Sequence, residues 1–144
     1  MTDGSPAALS LTEVTYRRDD TVILAPPGVT WSIESGTSWV VLGRNGSGKT
    51  TLVRIAALRE HPSSGSVTVF GEQLGRVDIR PLRRRIGFAS PAMLDLLRPT
   101  LTAFQCVVTA RHDALEPWWH TYTSADDEAA LTAMTEVGVA RLAE

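Results

Sequence analysis

One nine-residue stretch constrains this chain more than any other: Gly43-Arg44-Asn45-Gly46-Ser47-Gly48-Lys49-Thr50-Thr51. It satisfies G-x-x-x-x-G-K-[ST], the P-loop pattern. Trp39-Val40-Val41-Leu42 precedes it, an apolar run of the kind a buried parallel strand shows. Residues 51–58 follow it with apolar positions at helix spacing. Strand, glycine-rich turn and helix in that order predict an α/β core with a phosphate site at the turn. A triphosphate needs converging donors, so the backbone must curl with its N–H groups inward; Gly43, Gly46 and Gly48 allow the required dihedrals and close approach. The helix starting near Lys49 adds unpaired N–H groups and a positive dipole end. The motif assigns Lys49 to the β- and γ-phosphates and the Thr50 hydroxyl to Mg²⁺, with Asn45, Ser47 and Thr51 completing the loop. Lys49 is the only lysine, against thirteen arginines. The competing reading is an ordinary glycine-rich strand-to-helix turn.

At 144 residues the chain has room for one core, and a single domain is the default. A net charge of −2 gives no reason to expect nucleic acid. Residues 1–6 are polar and acidic, unlike a signal peptide. No apolar run approaches the roughly 18 residues that span a bilayer. The single cysteine, Cys106, sits in an apolar stretch and is expected to be a small buried hydrophobe. With no disulfide possible within the chain, a cytoplasmic location is expected.

In chain order, residues 9–16 predict a strand ended by the charged turn Arg17-Arg18-Asp19-Asp20. Val22-Ile23-Leu24 predicts a second strand, broken by Pro26-Pro27-Gly28. Val29, Trp31 and Ile33 alternate with polar residues as in a half-buried strand. The first forty residues thus predict a small antiparallel β region leading into the α/β core. Strands are also predicted over 66–70 and 85–89, with a helical turn over 78–84 and an irregular region from Ser90-Pro91-Ala92 to Pro99. A helix buried on one side is predicted over 101–111, then an aromatic-rich loop over 116–123. Ser124-Ala125-Asp126-Asp127 fits a capping box, and Leu131, Met134 and Val137 supply that helix's apolar stripe.

These segments together resemble the ATP-binding domain of ABC transporters over nearly the whole chain. Asn45-Gly46-Ser47-Gly48-Lys49-Thr50-Thr51-Leu52 looks like that family's narrower P-loop. Pro62-Ser63-Ser64-Gly65-Ser66-Val67 with Phe70-Gly71 looks like its next segment, and Arg85-Ile86-Gly87-Phe88 like the strand leading to its Q-loop. Val137-Gly138-Val139-Ala140-Arg141-Leu142-Ala143 is similar to what precedes its signature sequence. The resemblance implies ATP and Mg²⁺ as ligands, a second ATP-binding subunit and a transmembrane permease as partners, and hydrolysis coupled to transport from the inner face of the membrane. It also implies that Tyr16 stacks on adenine, a contact worth about 1–3 kcal/mol with any base; the alternative is a strand-end tyrosine packed on the core with its hydroxyl in water.

Two departures accompany the resemblance. Pro91 stands where the Q-loop glutamine is expected, which leaves that role to a neighbour such as Ser90. The signature, Walker B and switch-histidine segments have no counterpart up to Glu144. The expectation is an N-terminal portion of the domain, spanning 1–144, with a β region and P-loop core over about 1–90 and the Q-loop and start of the helical region over about 91–144. Such a chain is expected to bind ATP without turning it over, although Asp95, near the Q-loop, is a candidate stand-in base. His61, His112 and His120 lack metal-ligand spacing and are expected in solvated loops, and Arg83-Arg84-Arg85 on a solvated face. Trp118-Trp119-His120 with Tyr122 is either an interface anchor, facing the membrane partner by the resemblance, or internal packing. The alternatives are one half of a soluble chromosome-maintenance ATPase and a non-enzymatic nucleotide-binding module.

Overall fold

The computed structural model describes residues 7–143. Residues 1–6, Glu144 and the side chain of Trp119 lie outside that description, so the expectation of a start unlike a signal peptide falls outside it too. The chain divides into two units, Met1–Leu82 and Arg83–Glu144.

The first unit is organised around β1 (Leu9–Arg18), which lies between β2 (Thr21–Ile33) and β3 (Ser64–Val69). A short β4 (Glu72–Gln73) extends the sheet beyond β3, in the order β2-β1-β3-β4 with every ladder antiparallel. The buried side chains of β1 are Leu9 and Leu11, then Val14 and Tyr16. An unbroken strand keeps one parity on one face, so something must shift the count between 11 and 14. Glu13 does so. Its φ is 51°, and both neighbouring ladders lose register around it. Gly28 on β2 and Gly65 on β3 make room for this bulge. A Cβ on Gly28 would stand 2.5 Å from the Glu13 carbonyl carbon, and one on Gly65 2.5 Å from the Glu13 and Thr12 oxygens. The Thr30 hydroxyl accepts the Glu13 N–H at 3.0 Å.

The two strands expected over 22–24 and 29–33 are one element, β2, because the chain resumes pairing with β1 on both sides of Pro26-Pro27-Gly28. The ladder runs from Tyr16↔Leu24 to Val14↔Val29 and absorbs the extra residues as a bulge. The helix α1 (Lys49–Ala56) packs over β1 and β3 with Leu52 and Ile55 buried. Each such side chain stabilises by roughly 1.5–3 kcal/mol when fully buried.

The strand expected over 39–42 does not form. These residues are irregular, with Trp39 58%, Val40 79% and Leu42 85% exposed. A strand apolar on both faces needs neighbours on both edges and cover on both sides, and among the described residues the sheet gives it no pairing. Trp39 instead rests edge-on against Trp31, with ring centroids 5.6 Å apart. Residues 85–89 likewise form no strand. The small antiparallel region is therefore larger than expected, taking in β3 and β4, and the fold is mixed α/β. The short α2 (Ile79–Arg83) follows, with Leu82 buried.

The second unit holds a 3₁₀ turn at Pro91–Leu96, α3 (Ala103–Ala110), another 3₁₀ turn at Pro117–Trp119, α4 (Ser124–Glu136) and a last turn at Ala140–Leu142. The N-terminus of α3 carries a capping box between Thr102 and Gln105. The box of α4 begins one residue earlier than expected. Thr123, in extended conformation, is the cap, and its N–H and hydroxyl both donate to Asp126 Oδ2 at 2.9 and 2.8 Å. The buried stripe of α4 is Asp126, Ala130 and Met134. Leu131 and Val137, expected inside, are 44% and 72% exposed, because the stripe follows the i, i+4, i+8 row set by the cap. Cys106 is half-buried rather than buried.

Candidate functional site

The loop between residues 43 and 51 lines an open pocket of about 410 Å³. Asn45, Gly46, Ser47, Gly48, Lys49, Thr50 and Thr51 face it, and Ile23 of β2 is its apolar wall. Two backbone features shape the loop. Gly46 and Gly48 hold φ of 79° and 86°, in the left-handed region open to glycine. Gly48 is also the cap of α1 and lies against β2: a Cβ there would stand 2.7 Å from Leu24 Cδ2 and 3.1 Å from the Ile23 carbonyl oxygen. Glycine at 48 thus lets the start of α1 dock on β2, which is how Ile23 comes to border the loop.

The start of α1 is open to an anion. Leu52 is the first residue whose N–H bonds back into the helix, to Gly48 O at 2.8 Å, so the N–H groups of Lys49, Thr50 and Thr51 have no intrahelical acceptor. No side chain caps this end, and its first turn holds no acidic residue. The Ser47 N–H is engaged by Arg44 O at 3.2 Å, which tightens the turn. The lysine ammonium folds back over the loop and donates to Gly43 O at 2.8 Å and Arg44 O at 2.7 Å. Gly43 supports the site from behind. Its carbonyl holds Lys49, and a Cβ on it would lie 2.9 Å from Ser47 Oγ. Curled backbone donors, one ammonium and a hydroxyl at Thr50 form a donor set suited to a polyphosphate and its divalent cation.

Tyr16 is placed differently from the expected stacking residue. It follows the Glu13 bulge onto the buried side of β1, is 6% exposed, and does not line the pocket. Its hydroxyl donates to Glu60 Oε1 at 2.7 Å, and the Arg18 guanidinium lies 5.8 Å from its ring centroid. Stacking needs an open ring face, which a residue this buried does not offer. The packed alternative comes nearer, except that the hydroxyl is held by a carboxylate and not by water. Ile23 and Glu60 are the residues that sequence reasoning missed. Ile23 borders the loop because β2 lies against Gly48 at the start of α1, a tertiary contact that no local motif announces.

The second unit holds the other expected groups. Pro91 opens the Pro91–Leu96 turn and Asp95 on it is exposed. His61 is exposed as expected, but His112 and His120 are not solvated loop residues. Their rings stack with centroids 5.1 Å apart, Tyr122 meets both edge-on, and His112 Nε2 lies 3.0 Å from Asp126 Oδ1. The Thr123 N–H, the Thr123 hydroxyl and His112 lower the Asp126 pKa to about 2, in that order of importance. Burial, and then the Asp126 charge, raise the Tyr122 pKa above its ordinary value. Trp118 is 57% exposed with the Arg98 guanidinium 4.6 Å from its ring centroid, and Arg83 pairs with Asp113 at 2.9 Å. No group of three or more metal-ligating side chains occurs among the described residues.

Comparison with known proteins gives one consistent result. The ABC transporter family pattern matches residues 27–144. The chain is 30% identical over 114 residues to the uncharacterized ABC transporter ATP-binding protein YmeB of Lactococcus lactis, covering 79% of this chain and 44% of that protein. It is 28% identical over 137 residues to the uncharacterized ABC transporter ATP-binding protein YlmA of Bacillus subtilis, covering 94% and 51%. Over 63 residues it is 41% identical to the methionine import ATP-binding protein MetN of Mesorhizobium japonicum, covering 42% and 17%. The chain spans about half the length of the ABC transporter ATP-binding proteins that it matches most extensively. With the P-loop geometry and the family pattern in agreement, the chain belongs to the ABC transporter ATP-binding family.

Proposed function

We propose that this chain binds Mg·ATP at residues 43–51 and serves as the ATP-binding part of an ABC-type transport system, beside a second ATP-binding subunit and a transmembrane permease at the inner face of the membrane. The carrying observation is the open start of α1, where the N–H groups of Lys49, Thr50 and Thr51 have no backbone acceptor among the described residues and the first turn holds no acidic residue. Lys49 exchanges its bonds to Gly43 O and Arg44 O for the β- and γ-phosphate oxygens, charge-assisted contacts about twice as strong as neutral ones. The Thr50 hydroxyl is the metal ligand, and bound Mg²⁺ neutralises phosphate charge. Gly46, Gly48 and the backbone of Asn45 and Ser47 orient the remaining donors. Among the described residues no helix is long and apolar enough to cross a membrane, in keeping with a peripheral place beside a permease.

Hydrolysis asks for more than binding. A group near the γ-phosphate must position or deprotonate water, and no carboxylate or histidine lines the pocket among the described residues. We therefore assign this chain binding without turnover of its own. Calorimetric titration with Mg·ATP tests the site. The unsubstituted chain binds and Lys49→Ala binds at least tenfold more weakly, about 1.4 kcal/mol. Equal affinity in the two proteins overturns the site. Lys49-dependent phosphate release at about 1 s⁻¹ or faster, an ordinary enzyme rate, overturns the absence of turnover.

A further inference from the structure

We infer that Glu60 is a positioning residue for the phosphate site: it fixes the direction of α1 through Tyr16, and it rests on the binding role proposed above. The P-loop donors are the first N–H groups of α1, so their aim is the aim of the helix. That helix has eight residues and is about 12 Å long. Leu52 and Ile55 are its buried anchors. They lie on one stripe and hold its distance from the sheet, and Gly48 rests its start against Leu24 and Ile23 of β2, while the direction of its axis also needs a point that holds the opposite end.

Glu60 supplies that point. Past Ala56 the chain reverses at Leu58, whose φ is 57°, and Arg59 N–H returns to Arg54 O at 2.8 Å. This delivers Glu60 to the end of the helix opposite the phosphates. One carboxylate oxygen accepts the Tyr16 hydroxyl at 2.7 Å. The other accepts from Arg18 at 3.3 Å and pairs with Arg54 at 3.5 Å. Arg54 belongs to α1 and Tyr16 and Arg18 to β1, so the carboxylate ties helix to strand. Tyr16 cannot give way, being 6% exposed within the core. The Glu60 side chain is 23% exposed while Arg18 and Arg54 are 55% and 42% exposed, so the part-buried Tyr16 hydroxyl is its most sheltered contact and the arginine pairs are screened by salt. A 10° swing about the tied end would displace the start of α1 by about 2 Å, enough to break the hydrogen bonds on which phosphate binding depends.

The test is Mg·ATP affinity measured calorimetrically on folded protein, alongside apo thermal melting, for Tyr16→Phe, Glu60→Gln, Glu60→Ala and the double variant Tyr16→Phe/Glu60→Ala. Glu60→Ala and Tyr16→Phe each weaken binding about three- to tenfold. Glu60→Gln, which keeps an acceptor for the Tyr16 hydroxyl, recovers most of the loss. The double variant is no weaker than Glu60→Ala, because both changes remove one shared contact. A purely structural Glu60 would lower the melting temperature and leave folded-state affinity within about twofold of the unsubstituted chain, and that result overturns the inference. Losses that multiply in the double variant overturn it as well. If Glu60→Ala does not fold, Tyr16→Phe decides by the same twofold criterion. An unsubstituted chain that fails to bind Mg·ATP overturns the binding role itself, an outcome distinct from unchanged affinity in the variants.

Discussion

Replacing Gly48 by alanine separates two reasons for glycine in the loop. The first is conformational: at φ 86° a residue with a Cβ is strained by about 1–2 kcal/mol. The second is contact. The new methyl would lie 2.7 Å from Leu24 Cδ2, 3.1 Å from Ile23 O and 3.3 Å from Ile23 Cγ2. Leu24 is buried at 7% exposure and the Ile23 oxygen is backbone, so neither withdraws freely, and overpacking of this kind costs about 1–3 kcal/mol. Together the two make Gly48→Ala about 2–5 kcal/mol less stable. Gly46→Ala is the matched control. Its φ is 79° and no atom lies within 4 Å of the added carbon, so only the conformational part applies, about 1–2 kcal/mol. Urea unfolding followed by tryptophan fluorescence gives both values. If the two variants lose the same stability to within about 0.5 kcal/mol, the error expected for independent measurements, the docking of the loop on β2 is wrong.

Two further predictions concern other parts of the fold. Asp126 has its pKa depressed from 3.8 to about 2, so the stability it contributes is fully present above about 3.8 and is lost as the pH falls toward 2. Far-UV circular dichroism over that interval should show a loss of helix that is smaller in Asp126→Asn, whose missing carboxylate no longer titrates, and an unchanged acid profile in the variant would refute the assignment. Gly28→Ala and Gly65→Ala should each destabilise by more than 2 kcal/mol, since the added carbon meets Glu13 and Thr12 backbone at 2.5 Å; denaturation midpoints within error of the unsubstituted chain would contradict the bulge.

The P-loop was readable because its chemistry is local: a motif of nine residues carries its own dihedral and donor requirements. The β1, β3, α3 and α4 segments were readable for a similar reason, through alternation, turn residues and caps. Tyr16 was not. Its side depends on the bulge at Glu13, and that bulge is accommodated by Gly28 and Gly65 on two other strands, 15 and 52 residues away in sequence. Ile23 reaches its place by the contact of β2 with Gly48, and Glu60 by the reversal at Leu58 past the end of α1. Residues 39–42 and 85–89 have strand composition but no pairing here, since a buried strand is a property of its neighbours as much as of its own residues. His120 and Tyr122 were legible together in the aromatic-rich loop, but His112, which precedes that loop, was not, because no local spacing links it to them.

The most direct measurement of the central claim is the response of backbone amide resonances to Mg·ATP in ¹⁵N-labelled protein. The bound phosphates should shift the amides of Gly46, Gly48, Lys49, Thr50 and Thr51 most, with the buried Tyr16 amide moving far less, and Lys49→Ala should suppress the pattern. Saturable shifts centred away from residues 43–51, or the same shifts in Lys49→Ala, would contradict a phosphate site at the start of α1.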